Sequence, residues 1–240
     1  MIKIGILGAN LQAERHVNNI RTLDNVRIAG LFDKCYSHAL KFSIEKKVKL
    51  FESFDELLQH VDAVDITVPG DEAYFFAIES LKNSKHLYLS NPFLFDLKRI
   101  KNLVKLANEA NVKIQVNRKE KFNPIFSSLA QLVNDPKIIQ IQRHIKKSSR
   151  ELLKVNEYLF HDLEIVLQYL HSPVKRINTT GIIYNNTSAE VIQTNIEFRN
   201  EAIVNIHIDN LAEENSLKAS FYQPNGIFHV DFSNNKIIIN

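Results

Sequence analysis

Apolar and polar positions follow two rhythms along this chain, and the change falls near residue 120. Before it, short apolar runs alternate with stretches of helical period. Ile2–Leu7, Arg27–Asp33, Asp62–Pro69, His86–Leu89 and Val112–Val116 read as strands. Leu11–Ile20, His38–Lys46, Phe54–Gln59, Asp71–Asn83 and Asp96–Ala110 read as helices, with Ser53 placed to cap the third. Ile100, Leu103, Val104 and Ala107 share one side of the last helix. Strands alternating with helices predict an α/β fold, a doubly wound parallel sheet with helices on both faces. After Phe122-Asn123-Pro124, helix Ile125–Leu132 leads into strand Lys137–Ile145. A second helix, Glu157–Leu170, stops before Ser172-Pro173. Strands then dominate: Val174–Ile183, Ala189–Arg199, Ala202–Asp209, Leu217–Tyr222, Ile227–Phe232 and Lys236–Ile239. Polar turns such as Asn185-Asn186 and Asn234-Asn235 separate them. Residues 121–240 are therefore expected to form an α+β domain on a largely antiparallel sheet. No flexible linker precedes it, so the junction is expected to be rigid.

The opening unit carries the clearest chemistry. A buried strand turns at Gly8-Ala9-Asn10-Leu11 into a helix. Such a turn aims backbone N–H groups and the positive end of the helix at one spot, which suits a pyrophosphate. An acid for a ribose hydroxyl is expected at the end of the next strand, and Asp33 stands there. Residues 1–120 are thus expected to be a Rossmann-like dinucleotide-binding domain. The G-x-G-x-x-G fingerprint is only partly kept: Gly8, Asn10 and Ala13 occupy the three positions. Asn10 tolerates left-handed backbone angles, yet its side chain is expected to crowd or replace a diphosphate. In an open parallel sheet, ligands gather beyond the carboxyl ends of the strands. The turn Val68-Pro69-Gly70 and the stretch Ser90-Asn91-Pro92 reach that edge. The cofactor candidates are Gly8, Ala9, Asn10, Leu11, Asp33, Val68 and Pro69. A carboxylate at Asp33 repels a 2′-phosphate, which favours NAD over NADP even with Lys34 alongside. The competing reading is a strand–helix turn with no ligand. Tyr74 is expected near the ligand or in the core.

Composition narrows the classes. The chain has 240 residues, with 30 basic and 27 acidic side chains and a formal charge of +3. No basic tract stands out, which argues against a dedicated nucleic-acid surface. The histidines are scattered, and no spacing among them reads as a metal site. Cys35 is the single cysteine, so a reducing, cytoplasmic compartment is expected. No stretch resembles a signal peptide or approaches membrane-spanning length.

The helix Glu157–Leu170 is the informative piece of the second half. Leu159, Leu163, Val166, Leu167 and Leu170 form an apolar stripe, while Glu157, His161, Glu164 and Gln168 share another face. A glutamate one turn before a histidine can hold the imidazole and raise its pKa. That is acid–base equipment, or else a solvated helix face. Asp162 falls between the stripes and reads as a surface charge.

Taken together, these stretches resemble the Gfo/Idh/MocA family of NAD(P)-dependent oxidoreductases. Asp62–Pro69 resembles its strand and threonine–proline turn. Lys85-His86-Leu87-Tyr88-Leu89-Ser90-Asn91-Pro92 sits where the family has a strand ending in glutamate-lysine-proline. Gln115–Pro124 resembles the entry into the second domain, and Phe160-His161-Asp162-Leu163-Glu164 its histidine-bearing helix. The resemblance implies hydride transfer between a nicotinamide and a sugar- or polyol-like substrate. Carried over position by position, the family's lysine becomes Asn91, its aspartate becomes Glu157, and its histidine is kept as His161. Asn91 donates a hydrogen bond but carries no charge and accepts no proton, so weak activity is expected. The alternative is a non-catalytic ligand-sensing or scaffold relative. A biliverdin-reductase-like reductase is a third reading that no residue favours. The chain is shorter than family members usually are. The resemblance also implies a homodimer through the second-domain sheet, where alternating Ile192, Thr194, Ile196 and Phe198 call for a cover.

Overall fold

The computed structural model describes residues 1–90, 95–117, 123–146, 155–183 and 190–240. The side chains of residues 127 and 155–157 are outside that description. So are Asn91 and the turn Asn185-Asn186. The chain divides into two compact units, Met1–Asn117 and Arg118–Asn240.

In the first unit, strands β1 (Ile2–Leu7), β2 (Val26–Phe32), β3 (Ala63–Ile66), β4 (His86–Leu89) and β5 (Ile114–Val116) form one parallel sheet in the order β2-β1-β3-β4-β5. Leu50 adds an isolated parallel bridge to Leu31 at the β2 edge. The helices are α1 (Leu11–Ile20), α2 (Tyr36–Lys46), α3 (Phe54–His60), α4 (Gly70–Lys82) and α5 (Leu97–Glu109). Alternate residues of β1 enter different cores. Ile6 packs with Ala13, Val17, Leu31 and Phe42, whereas Leu7 joins Leu57, Val64, Phe76 and Leu103. Apolar residues on both faces are what a parallel sheet covered on both sides requires. The expected Ser53 cap is present, with Oγ accepting from Glu56 N–H at 3.1 Å. Tyr74 ties α4 to α5: its hydroxyl accepts from Asn102 at 2.9 Å and its ring meets Phe95 edge-on.

In the second unit, α6 (Ile125–Leu132) and α7 (Val155–Tyr169) accompany strands β6 (Ile138–Lys146), β7 (Val174–Ile182), β8 (Val191–Phe198), β9 (Ile203–Ala212), β10 (Ser216–Gln223), β11 (Gly226–Asp231) and β12 (Lys236–Ile239). The sheet runs β12-β11-β10-β6-β9-β8-β7. Every neighbouring pair is antiparallel except β6 with β9. Ile192, Thr194, Ile196 and Phe198 are buried. Ile192, Ile196 and Phe198 share a core with Ile125, Leu129, Ile165 and Val166 of the two helices. Their cover is thus supplied by the chain itself. The other face of the sheet shows Gln140, Gln142, His144, Gln193, Asn205 and His207 around a shallow cavity. The expectation that an apolar sheet face awaits a partner is therefore corrected.

The expected stripe on α7 holds at Leu159, Leu163, Val166 and Leu170, which are in or packed against the core, and fails at one position. Leu167 is 58% exposed, whereas Asp162, Glu164, Ile165, Val166 and Leu170 are buried. Asp162 is no surface charge. Its carboxylate accepts from Arg143 Nε at 3.0 and 3.1 Å and from Arg143 Nη2 at 2.5 Å. A buried bidentate pair of this kind locks the rotation of α7 over β6, because either charge alone is costly to bury. Apolar periodicity cannot register a buried ion pair, so it left Asp162 out of the seam and put the exposed Leu167 in.

Candidate functional site

The sequence-predicted cofactor residues Gly8, Ala9, Asn10, Leu11, Asp33, Val68 and Pro69 all lie in loops after β1, β2 and β3, at the carboxyl edge of the parallel sheet. Gly8 has φ +107, and a Cβ there would stand 2.5 Å from Thr67 Oγ1. Both its angle and its surroundings demand glycine. Gly8 N–H donates to Phe32 C=O at 2.9 Å, drawing the turn toward the end of β2. Thr67 is its buttress: the hydroxyl, 5% exposed with its residue, donates to Leu7 C=O at 2.8 Å.

Asp33 faces this turn. Its Oδ2 accepts from Ala9 N–H at 2.7 Å and its Oδ1 from Cys35 N–H at 2.8 Å. Each carboxylate oxygen has capacity for a second bond, so the two backbone donors orient the group and leave it able to accept hydroxyls. Lys34 turns elsewhere, with Nζ 3.3 Å from Glu72 and 5.2 Å from the Phe76 ring centroid.

Asn10 behaves differently from expectation. Its φ of −124 and ψ of 177 are extended, so no left-handed conformation is used. The side chain caps α1, with Oδ1 accepting from Ala13 N–H at 2.9 Å. Its Nδ2 donates to Thr67 C=O at 3.0 Å and to Thr67 Oγ1 at 3.2 Å. Both ends of the amide are tethered to the protein. The N–H groups of Leu11 and Gln12, in the first turn of α1, have no acceptor within the helix by geometry. A helix end with N–H donors to spare thus stands beside the Asp33 carboxylate, and the residues present fit a dinucleotide.

Beneath the turn lies a pair the sequence reading missed. Asp65 of β3 points to the α1 side, and its Oδ2 sits 2.6 Å from His16 Nδ1. Tyr88 meets the imidazole edge-on, with ring centroids 5.4 Å apart. Burial pushes the Asp65 carboxyl up, against the pull of His16. Its Oδ1 has no hydrogen-bond partner among the described residues. The signal in the sequence was an acid inside an otherwise apolar strand.

The other catalytic candidates are less fully placed. His161 is half-buried on α7, one residue before Asp162 in the chain. Glu157 belongs to the same helix, one turn earlier, and its side chain is outside the described residues. Asn91 lies outside them altogether, while Ser90 just after β4 has a buried Oγ.

Comparison with known proteins agrees with this geometry. Residues 2–118 match the oxidoreductase family GFO_IDH_MocA, NAD-binding Rossmann fold. The first unit thus belongs to the Gfo/Idh/MocA family. A UDP-N-acetylglucosamine 3-dehydrogenase from Acidithiobacillus ferrooxidans is 21% identical over 99% of this chain and 76% of its own length. Its solved structure superposes with a TM-score of 0.92 at 20% identity, covering 100% of this chain and 80% of that one. A glucose-6-phosphate 3-dehydrogenase from Bacillus subtilis is 25% identical over 62% of this chain and 43% of its own. A scyllo-inositol dehydrogenase from Lactobacillus casei, solved with NAD(H) and scyllo-inositol, aligns at TM-score 0.84 and 17% identity over 96% and 76% of the two chains. The parallel sheet followed by the mostly antiparallel sheet thus matches the Gfo/Idh/MocA dehydrogenase fold. No helix among its described residues is long and apolar enough to cross a membrane.

Proposed function

We propose that this Gfo/Idh/MocA protein binds NAD at the Gly8–Leu11 turn and oxidises or reduces a secondary alcohol of a sugar or polyol derivative. The observation that carries the reading is Asp33, aimed by Ala9 and Cys35 backbone donors beside the turn. Its carboxylate accepts the ribose hydroxyls and repels a 2′-phosphate, while the start of α1 faces the pyrophosphate. Val68 and Pro69 border the same edge. When bound, NAD supplies a hydride acceptor, or in the reverse direction a hydride donor. His161 takes the hydroxyl proton as the alcohol becomes a carbonyl, and returns it in reverse. Glu157 orients the imidazole. Asn91 holds the reacting oxygen by a hydrogen bond but moves no proton. The sugar class is supported by the relatives named above, which act on a nucleotide sugar, a sugar phosphate or an inositol by their names.

The finer part of this reading is a cytoplasmic homodimer, pairing through the polar outer face of the second sheet. Sedimentation velocity tests it, and a monomer at micromolar concentration refutes it.

Calorimetric titration with NADH tests the cofactor. Saturable binding below about 1 mM is expected, weakened about 10–100-fold by Asp33→Ala, which removes charge-assisted hydrogen bonds. No binding at millimolar NADH overturns the proposal. Asn10→Gly sharpens the test: because the amide is tethered to Thr67 and Ala13, affinity is expected to stay within about threefold, less than 1 kcal/mol. A tenfold gain would mean that the side chain obstructs the diphosphate. Turnover is then followed over a panel of nucleotide sugars, sugar phosphates and inositols. Asn91→Lys is expected to raise it by at least about tenfold, since a positioned acid–base group is worth about 10²–10⁴. Bound NADH with no turnover in either form favours the non-catalytic relative.

A further inference from the structure

The outer face of the second sheet holds a cluster for which the dehydrogenase reading has no use. β6 and β9 run parallel, with His144 opposite Asp209 and Gln142 opposite His207. Ile206 and Ile208 are fully buried on the inner side. Strand alternation therefore turns His207 and Asp209 outward, and His144 shares their face as the ladder partner of Asp209. Asp209 Oδ2 lies 2.6 Å from His144 Nδ1 and 3.1 Å from His207 Nε2. One potential ligand atom from each of the three lies within 4.8 Å of the others. In the single chain the Asp209 side chain is 12% exposed and those of His144 and His207 are 39% and 35% exposed, so the cluster is open on the face through which the proposed homodimer pairs.

The hydrogen-bond inventory of His207 points to a cation. Its Nδ1 faces Gln193 Oε1 at 3.1 Å and its Nε2 faces the Asp209 carboxylate. Both partners only accept. A neutral imidazole carries one N–H, so one of the two contacts sets lone pair against lone pair. An imidazolium would satisfy both acceptors, and so does a metal ion between Nε2 and Oδ2, the alternative that also takes in His144. Nδ1–H then donates to Gln193, and Nε2 is free to ligate. Metal-bound histidines hold their second N–H on an oxygen in this way, which fixes the tautomer.

We propose that His144, His207 and Asp209 bind one divalent transition-metal ion, for which Zn²⁺ is the fitting probe. Two imidazole nitrogens and one carboxylate are the donors of an open zinc site, with water in the remaining position. Mg²⁺ and Ca²⁺ want oxygen ligands and fit poorly. The ion would clamp β6 to β9, the parallel pair at the middle of the sheet, with Gln193 of β8 as its positioning residue.

The test is calorimetric titration of the untagged, chelator-stripped full chain with ZnCl₂, with MgCl₂ as the control. One equivalent should bind with a dissociation constant of about 10 µM or tighter. His144→Gln and His207→Gln should each weaken binding by at least about tenfold, and Asp209→Asn likewise. Gln193→Ala should weaken it by about 10–100-fold while stoichiometry stays at one. Cobalt substitution should give visible d–d bands in the wild type that the histidine variants lose. Circular dichroism without metal verifies folding, and if Asp209→Asn unfolds, the two histidine variants carry the test. No saturable uptake by about 100 µM zinc would mean that the Gln193 amide is turned over and the cluster is a plain hydrogen-bonded triad, which overturns the proposal. Equal affinity in all variants, from other histidines, overturns it too.

Discussion

The two units of this protein handle polar side chains in opposite ways. In the first, the parallel sheet is covered on both faces, and its recognition groups collect at one edge, in the loops after β1, β2 and β3. The exception is the His16–Asp65 pair, closed in under α1 with its two partners 2.6 Å apart. In the second, one sheet face is covered by α6 and α7, and polar residues spread across the other. Its buried pair, Arg143–Asp162, joins a strand to a helix over the covered face. The contrast teaches where chemistry can be found. A doubly covered sheet leaves only its edge free, so the site is a turn with a local signature. A sheet covered once has a whole face free, so clusters there arise from strand register and have no signature in any short stretch.

The comparison can be broken most sharply at the buried pair of the second unit. Arg143→Ala takes the guanidinium away from the fully buried Asp162 carboxylate and should destabilise the chain by about 3–5 kcal/mol. Denaturant unfolding followed by circular dichroism measures it. Arg143→Met with Asp162→Leu should recover most of the loss, as an apolar pair often does. If the single and double variants are equally unstable, the pair is not what seats α7.

The edge of the first unit comes next. Gly8→Ala forces a side chain into φ +107 with its Cβ 2.5 Å from Thr67 Oγ1. A cost of about 2–3 kcal/mol is expected, together with weaker NADH binding. A stable Gly8→Ala protein with undiminished NADH affinity would show that the turn is more pliant than the strained geometry implies.

The smallest effect belongs to an exposed turn of the second unit. Asp231 accepts from the Asn234 side chain and from the Ser233 and Asn234 backbone, and these bonds hold its carboxyl below the ordinary value of 3.8. A depressed folded pKa stabilises above the unfolded value and loses that contribution as the pH falls through the folded one. Asp231→Asn should therefore be less stable than wild type above about pH 5, by no more than about 0.5 kcal/mol. The difference should close toward pH 3. Thermal melts across that range decide it, and a gap that widens in acid refutes the sign.

Much of the fold was legible beforehand because it rests on local rules. Strand β1, helices α1 and α6 and strands β4 and β12 begin and end where the periodicity placed them. The glycine turn and Asp33 were legible for the same reason: tight turns, helix starts and strand ends leave marks within a few residues. The α7 stripe was legible at Leu159, Leu163, Val166 and Leu170 but not at Leu167, which is exposed, nor at Asp162 and Glu164, which are buried. Apolar spacing counts greasy side chains, and it assigns a buried carboxylate to solvent unless the arginine that neutralises it is known to lie across from it.

The amino-acid sequence by itself determined the two kinds of sheet, the tight glycine turn after β1 and the likeness to the Gfo/Idh/MocA family. Only the tertiary structure decided that Asn10 is a tethered helix cap, that Asp65 meets His16, and that His144, His207 and Asp209 come together. The reason is distance along the chain. His16 and Asp65 are 49 residues apart, and His144 and Asp209 are 65 apart. Contacts that long are created by which strands become neighbours and in what register, and no local pattern of side chains encodes that choice.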